Sequence, residues 1–281
     1  MNLIPSRPVH ILAGIVLPAV LLAGCATHRT QTAEVRPLLS EQDQSSIKDS
    51  DLRIANSALQ SGDLAVASNV FTRMTKDQPN APEGWRGLGT TQYLAGELEA
   101  SRKTYDEMLK RFPESSDARM GLARIAVRRR KLDDAAADYQ AVLKKTPDDP
   151  SALAGLGATL DLRGQPSEAQ AIYRRGLDKH PDNAALRANL GLSLALNGNP
   201  REAINVLLGN TGLVGDLPQE RANLALAYGL LGKDDAAESI LTANLPQSVA
   251  QDNLEFYHYV RQKLAMKQTP AKAANPSGAK K

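Results

Sequence analysis

A unit of about 34 residues recurs along this chain with no break in register, and that regularity limits the possible folds more than any other feature. It is fullest between Pro150 and Asn183, where Leu156 and Gly157 are followed by Gly164, Ala169, Tyr173 and Pro181. One period earlier stand Leu122, Ala123, Ala135, Tyr139 and Pro147; two periods earlier, Leu88, Gly89, Gly96, Tyr105 and Pro113. The first copy has Ile54, Ala55, Gly62, Ala67, Phe71 and Pro79. Two further copies follow, with Leu190, Gly191, Gly198 and Ala203, then Leu224, Ala225, Gly232 and Ala237. The six units run over 48–81, 82–115, 116–149, 150–183, 184–217 and 218–251.

Each recurring residue type has a physical task in a pair of antiparallel helices, A and B. The Gly or Ala after the recurring aliphatic lies where A and B touch, and the later Ala (135, 169, 203, 237) lies opposite it, with Ser101 as a small polar substitute. Neither position has room for a larger side chain at close helix separation. Glycine at 62, 96, 164, 198 and 232 suits the left-handed residue that ends helix A, so Arg130 predicts a less regular turn in the third unit. Pro79, Pro113, Pro147 and Pro181 end helix B, since proline lacks an N–H and clashes with the preceding turn. Phe71, Tyr105, Tyr139 and Tyr173 are suited to the gaps between neighbouring units. The pattern resembles the tetratricopeptide repeat (TPR). That resemblance implies an all-α superhelical solenoid of about six helix-turn-helix repeats, and a repeat stack requires a capping element at its end.

The last two units depart from the pattern. In the fifth, Gly209, Gly212 and Gly215 replace the end of helix B, which predicts a short helix and a Gly-rich turn. In the sixth, Pro246 stands where helix B should end, and Asp252 reads as the cap of a final helix running to about Met266. Leu254, Phe256, Tyr257 and Val260 would turn it back onto the stack. The organisation expected is thus a signal over 1–24, a tether over 25–47, a TPR array with its capping helix over 48–266, and a tail over 267–281 rich in Ala, Pro, Gly and Lys, read as disordered.

The N-terminus has the form of an address and an anchor. Arg7 precedes an apolar run from Ile11 to Leu22, too short for an ordinary transmembrane helix but fitting the core of a secretory signal. Leu22-Ala23-Gly24-Cys25 follows, and Cys25 is the sole cysteine. This stretch resembles the bacterial lipobox. The resemblance implies lipid attachment at Cys25, which becomes the first mature residue, and Ala26 after it implies sorting to the periplasmic face of the outer membrane. Several acyl chains make a stable anchor, each buried CH₂ contributing about 0.8 kcal/mol. A tether of some 22 residues has a typical reach of roughly 25 Å, with Pro37-Leu38-Leu39 a part of it.

Composition excludes several functions. The formal charge of +3 implies no nucleic-acid partner. One cysteine rules out an internal disulfide framework and a Cys-rich metal site. His10, His28, His180 and His258 have no ligand at metal-binding spacing, and neither a phosphate loop nor a nucleophile elbow is present. Asp133-Asp134 and Asp148-Asp149-Pro150 read as helix-start and turn residues. The reading is of a protein without catalytic, metal or cofactor sites.

Function then falls to the exposed face of the A helices, which TPR geometry makes the concave side. In the N-terminal half that face comprises Leu52, Asn56 and Leu59, then Arg86, Thr90 and Tyr93, then Met120, Arg124, Val127 and Arg128. It continues through Ala154, Ala158 and Asp161 to Ala188, Asn189, Leu192, Asn223 and Leu226. Its basic middle suits an acidic segment, Asn189 and Asn223 suit a peptide backbone, and the groove as a whole suits an extended or helical segment of a partner protein.

Two combinations carry a narrower resemblance. A lipobox followed by TPRs is shared with pilotin-type lipoproteins, which help secretin rings assemble in the outer membrane. The C-terminal run Arg221-Ala-Asn-Leu-Ala-Leu-Ala-Tyr228, with Leu231-Gly232, Ala236-Ala237-Glu238 and Asp252-Asn253-Leu254, resembles the TadD family of the tight-adherence (Flp) pilus assembly system. That resemblance implies an assembly factor acting on other pilus or secretion proteins, a secretin foremost. A pilotin of a type IV pilus or type II secretion system, an adaptor for cell-envelope enzymes and a chaperone of secreted enzymes remain the alternatives.

Overall fold

A computed structural model describes residues 46–209 and 218–268. The expected signal, Cys25, the tether up to Ser45, Gly212, Gly215 and the tail after Gln268 lie outside the described residues. Thirteen α-helices and no strand occur among the described residues. They form two compact units that divide between Lys145 and Thr146.

The first unit contains three helix pairs: α1 (Ser46–Ser61) with α2 (Leu64–Asp77), α3 (Pro82–Leu94) with α4 (Leu98–Arg111), and α5 (Ser116–Arg128) with α6 (Leu132–Lys145). Each helix packs on the next, and the A helices α1, α3 and α5 also touch in sequence. The second unit begins with α7 (Pro150–Leu162) and α8 (Pro166–Lys179), then α9 (Ala184–Leu196) and α10 (Pro200–Leu208). It ends with α11 (Pro218–Leu231), α12 (Asp234–Thr242) and α13 (Gln247–Gln268), which packs on both α11 and α12. Six pairs and a final helix match the all-α repeat expected from the register.

Helix ends follow from local chemistry. Asp63, Ser115, Asp149 and Asn183 accept hydrogen bonds from the backbone N–H three residues on, capping α2, α5, α7 and α9. Helices α2, α4, α6 and α8 each stop two residues before a proline. The fifth unit's B helix, α10, is cut to 9 residues against 14 in α8, and Gly209 follows it at φ 57°.

The A-to-B turns correct one expectation. Glycines 62, 96, 164, 198 and 232 have φ of 76° to 83°. Arg130 adopts the same left-handed conformation at φ 59° instead of opening the turn. Its N–H donates to the Val127 carbonyl at 3.0 Å and the Lys131 N–H to the Ala126 carbonyl at 2.9 Å, the same closure that Gly96 and Glu97 make on Tyr93 and Gln92. The flanking helices impose the geometry, and the arginine bears its steric cost.

The small-residue positions hold aromatic rings rather than empty space. Tyr105 lies between Gly89 of α3 and Gly121 of α5: a Cβ on either would lie 2.6 Å or 2.3 Å from its ring. Phe71 occupies the same place against Gly87, and Tyr173 against Gly157. Each ring is 1–2 % exposed, and burying a side chain of that size contributes about 2–3 kcal/mol. Ser101 is fully buried, and its hydroxyl donates to the Gly89 carbonyl at 2.7 Å, so its polarity is satisfied at the closest point of α3 and α4.

The start of the last helix is a second correction. Helix α13 begins at Gln247, and the Ala250 N–H donates to the Pro246 carbonyl at 3.0 Å, so Asp252 lies inside the helix instead of capping it. Proline has no N–H to lose at a helix start, which makes it compatible with that position. Ala250, Leu254 and Tyr257 form the docked face, while Phe256 and Val260 remain half-buried.

Candidate functional site

The A-helix face of the first unit is built from three residues per helix in one register. Its outer rim consists of half-buried Asn56, Arg86, Thr90 and Arg124, with Leu59 beside them. Leu52, Tyr93, Met120 and Val127, also expected on this face, are 6–8 % exposed and serve as its floor. They support the polar rim and offer little surface of their own. The Thr90 hydroxyl and the Tyr105 phenol are hydrogen-bonded at 3.0 Å, which ties the rim to the ring beneath. Burial raises the Tyr105 phenol above its ordinary value, so it stays protonated at neutral pH. Arg86 lies 3.4 Å from the Asp117 carboxylate, a partly exposed pair of small energetic weight.

Arg128 has a different task from the one its exposure suggests. Its guanidinium donates to the Tyr93 carbonyl at 3.1 Å and sits 5.0 Å from the centre of the Tyr93 ring. It therefore gives a second donor to a carbonyl that already accepts the Gly96 N–H at the end of α3, and adds a cation–π contact. Arg129 pairs with Glu99. Arg128 and Arg129 thus fasten α5 to α3 and α4, leaving Arg86 and Arg124 as the cations of the rim.

In the second unit the expected face divides sharply. Ala154, Ala158 and Asp161 of α7 are half-buried. Ala188, Asn189 and Leu192 of α9, and Asn223 and Leu226 of α11, are at most 9 % exposed. The two asparagines precede the recurring Leu, the register occupied by Gly87 and Gly121 in the first unit, where the chain meets the preceding pair. Asn223 donates its amide to the Ala188 carbonyl at 3.0 Å. It joins helix to helix, and no partner backbone can reach it.

Asp161 is different. Its two carboxylate oxygens accept hydrogen bonds from Tyr173 at 3.0 Å and Ser193 at 2.7 Å, so three helices converge on it. Gln170 donates in turn to the Ser193 hydroxyl at 3.3 Å. Burial pushes the carboxyl up to about 6 against the restraining effect of the two hydroxyl donors. The roles of Tyr173 and Ser193 here were not visible in the register, since it marks Tyr173 only as a filler. The usable signal is a polar residue on α7 twelve positions before a tyrosine on α8.

Elsewhere the charged clusters are structural. His258 and Arg261 of α13 bond the Asp234 carboxylate at 2.9 Å and 3.1 Å, and Arg261 also donates to the Gly229 carbonyl at 2.8 Å. Arg187 and the fully buried Glu220 pair at 2.7 Å between α9 and α11. Among the described residues no group of three His, Cys, Asp or Glu side chains could hold a metal ion.

Comparison with known proteins agrees with this architecture. Two family models, both described as tetratricopeptide repeat, match: one over 52–116, 95–150 and 120–166, the other over 162–209. Together they span more than half of the 281 residues. No curated protein matches the sequence. Among solved structures, the APC/C hetero-tetramer Cut9–Hcn1 superposes with a TM-score of 0.62 at 19 % identity, over 74 % of this chain and 42 % of that one. A protein of Pseudomonas aeruginosa, pilF, gives 0.59 at 12 % identity, over 79 % and 97 %. A tetratricopeptide repeat protein of Parabacteroides merdae gives 0.58 at 17 % identity, over 78 % and 89 %. At these identities the likeness is one of fold.

Proposed function

We propose that this chain, which belongs to the tetratricopeptide-repeat family, is a lipid-anchored scaffold that holds a segment of another envelope protein on its A-helix faces. The observation that carries this reading is the rim of Asn56, Arg86, Thr90 and Arg124, a half-buried polar row above an apolar floor. Such a row, with hydrogen-bonding groups presented at one repeat's spacing, suits an acidic segment laid across the helices. The tetratricopeptide family binds protein partners, which favours the same use.

The more specific role is assembly of a tight-adherence (Flp) pilus, with a secretin as the principal partner and the periplasmic face of the outer membrane as the location. Its support is in the sequence: the lipobox-like Leu22-Ala23-Gly24-Cys25 and the TadD-like C-terminal run from Arg221. Two measurements test the two levels separately. Arg86→Glu combined with Arg124→Glu should weaken capture of the partner at least about tenfold with helical content unchanged; undiminished capture would move the binding face elsewhere. Arg128 is left intact because its contacts are structural. Deleting the gene should remove heat-stable secretin multimers and surface pili, and normal multimers with normal piliation would overturn the pilus assignment while leaving the scaffold reading in place.

A further inference from the structure

Asp161 is the only charged residue on α7, and Ala158 and Ala154 stand one and two turns before it on the same half-buried strip. Each of its oxygens has taken one neutral hydroxyl donor, from Tyr173 and Ser193. A carboxylate oxygen has about two acceptor sites, so each retains capacity for a further donor. Among the described residues no cation pairs with it, and the groups that hold its carboxyl down are the two hydroxyls alone. Tyr173 is the titratable group that bonds it from α8; of the charges of that helix, Arg174 pairs with Glu202, Arg175 with Asp148 and Glu168 accepts from Gln165, while Asp178 and Lys179 stand in its last turn. The sole charged residue of α9, Arg187, is held by Glu220. An ionised carboxylate half removed from water with no counter-ion is unfavourable, and above its titration range that energy is recovered when a cation arrives.

We propose that Asp161 is the anchor for a lysine or arginine side chain carried by an otherwise apolar partner segment lying along Ala154 and Ala158. This rests on the reading that the A-helix faces take a partner segment, and it adds a charge requirement to it. The alanines leave a shallow apolar strip for the segment's backbone and small side chains. The ammonium or guanidinium would complete the carboxylate's hydrogen bonds as a charge-assisted pair in a partly desolvated place. The two hydroxyls hold the carboxylate's orientation before the cation binds, so little ordering remains to be done.

The pair also makes binding proton-linked. A cation binds the ionised carboxylate, whose titration lies near 6 in the unbound chain. Affinity should therefore be level above neutral pH and fall about tenfold by pH 5.

The test uses the full chain and three labelled nonapeptides, N-acetylated and amidated, apolar except for a central Lys, Gln or Glu, followed by fluorescence anisotropy. The expected result is that the Lys peptide binds at least about tenfold more tightly than the Gln peptide at pH 7.5, with the Glu peptide weakest. Asp161→Asn should bind the Lys and Gln peptides alike, and Asp161→Glu should restore part of the preference. Thermal unfolding of both variants verifies that they fold. Equal binding of Lys and Gln peptides by the native chain would overturn the anchor alone, as would a lysine preference surviving in Asp161→Asn. Failure of all three peptides to bind would overturn the anchor together with the use of this unit's A-helix face.

Discussion

Arg130 occupies a turn position that carries glycine in the five other units, at a backbone angle where a side chain costs about 1–2 kcal/mol. Its side chain is exposed, so replacing it sacrifices no buried contact. Arg130→Gly should raise the urea midpoint by an amount equivalent to about 0.5–1 kcal/mol, after allowing for the extra entropy of glycine in the unfolded chain. Gly96→Arg should shift it the opposite way. Asp161 supports a second residue-level prediction, on pH. Its carboxyl titrates near 6 when folded against 3.8 as the ordinary value, so between those limits the folded chain binds more protons than the unfolded one. Stability is then greatest at the acid end of that window and falls as pH rises from about 4 to 6. Asp161→Asn should flatten this slope and, at pH 7.5, be more stable than the native chain by about 1–2 kcal/mol, the full shift being discounted for partial exposure. Unfolding measured at pH 4 and 7.5 checks it.

At the scale of elements, the register placed the helix pairs because glycine, proline and capping polar residues act locally and their effects survive any tertiary context. Faces were harder to read. Asn189 and Asn223 resemble exposed polar residues in sequence, yet they occupy the position where Gly87 and Gly121 admit aromatic rings, and only the packing of consecutive pairs reveals it as interior. The same holds for Arg128, whose partner carbonyl lies 35 residues away. The final helix illustrates the converse error: Asp252 has the chemistry of a cap, but Pro246 already supplies the first carbonyl, and a helix started there simply runs through the aspartate. That helix closes the second unit by setting Tyr257 against Gly229, where a Cβ would lie 2.5 Å from the ring. Tyr257 is 5 % exposed, and Tyr257→Ala should cost about 3–5 kcal/mol. Hydrogen exchange should localise the loss, with amides of α12 and the C-terminal half of α11 exchanging faster while those of α7 are unaffected.

For the whole molecule, the question is how the proposed scaffold is held at a membrane. Mean hydropathy is −0.34, and among the described residues no helix is long and apolar enough to cross a membrane. In the proposed function attachment rests on acyl chains at Cys25, which follows the lipobox-like Leu22-Ala23-Gly24. Two or three chains of ordinary length, at about 0.8 kcal/mol per buried CH₂, hold a protein on a bilayer for far longer than any single groove contact would. Confinement also multiplies weak contacts, since a partner in the same membrane meets the A-helix faces at high effective concentration. In the proposed function a modest rim such as Arg86 and Arg124 then suffices. Cys25→Ser should move the chain from the membrane fraction to the soluble one, abolish incorporation of radiolabelled palmitate, and reduce assembly activity even though the A-helix faces are untouched. Expressing the variant at tenfold higher level should recover part of that activity, because raised bulk concentration substitutes for confinement. A Cys25→Ser chain that stays with the membrane, or that assembles normally at native level, would show that attachment at this cysteine has no part in the mechanism.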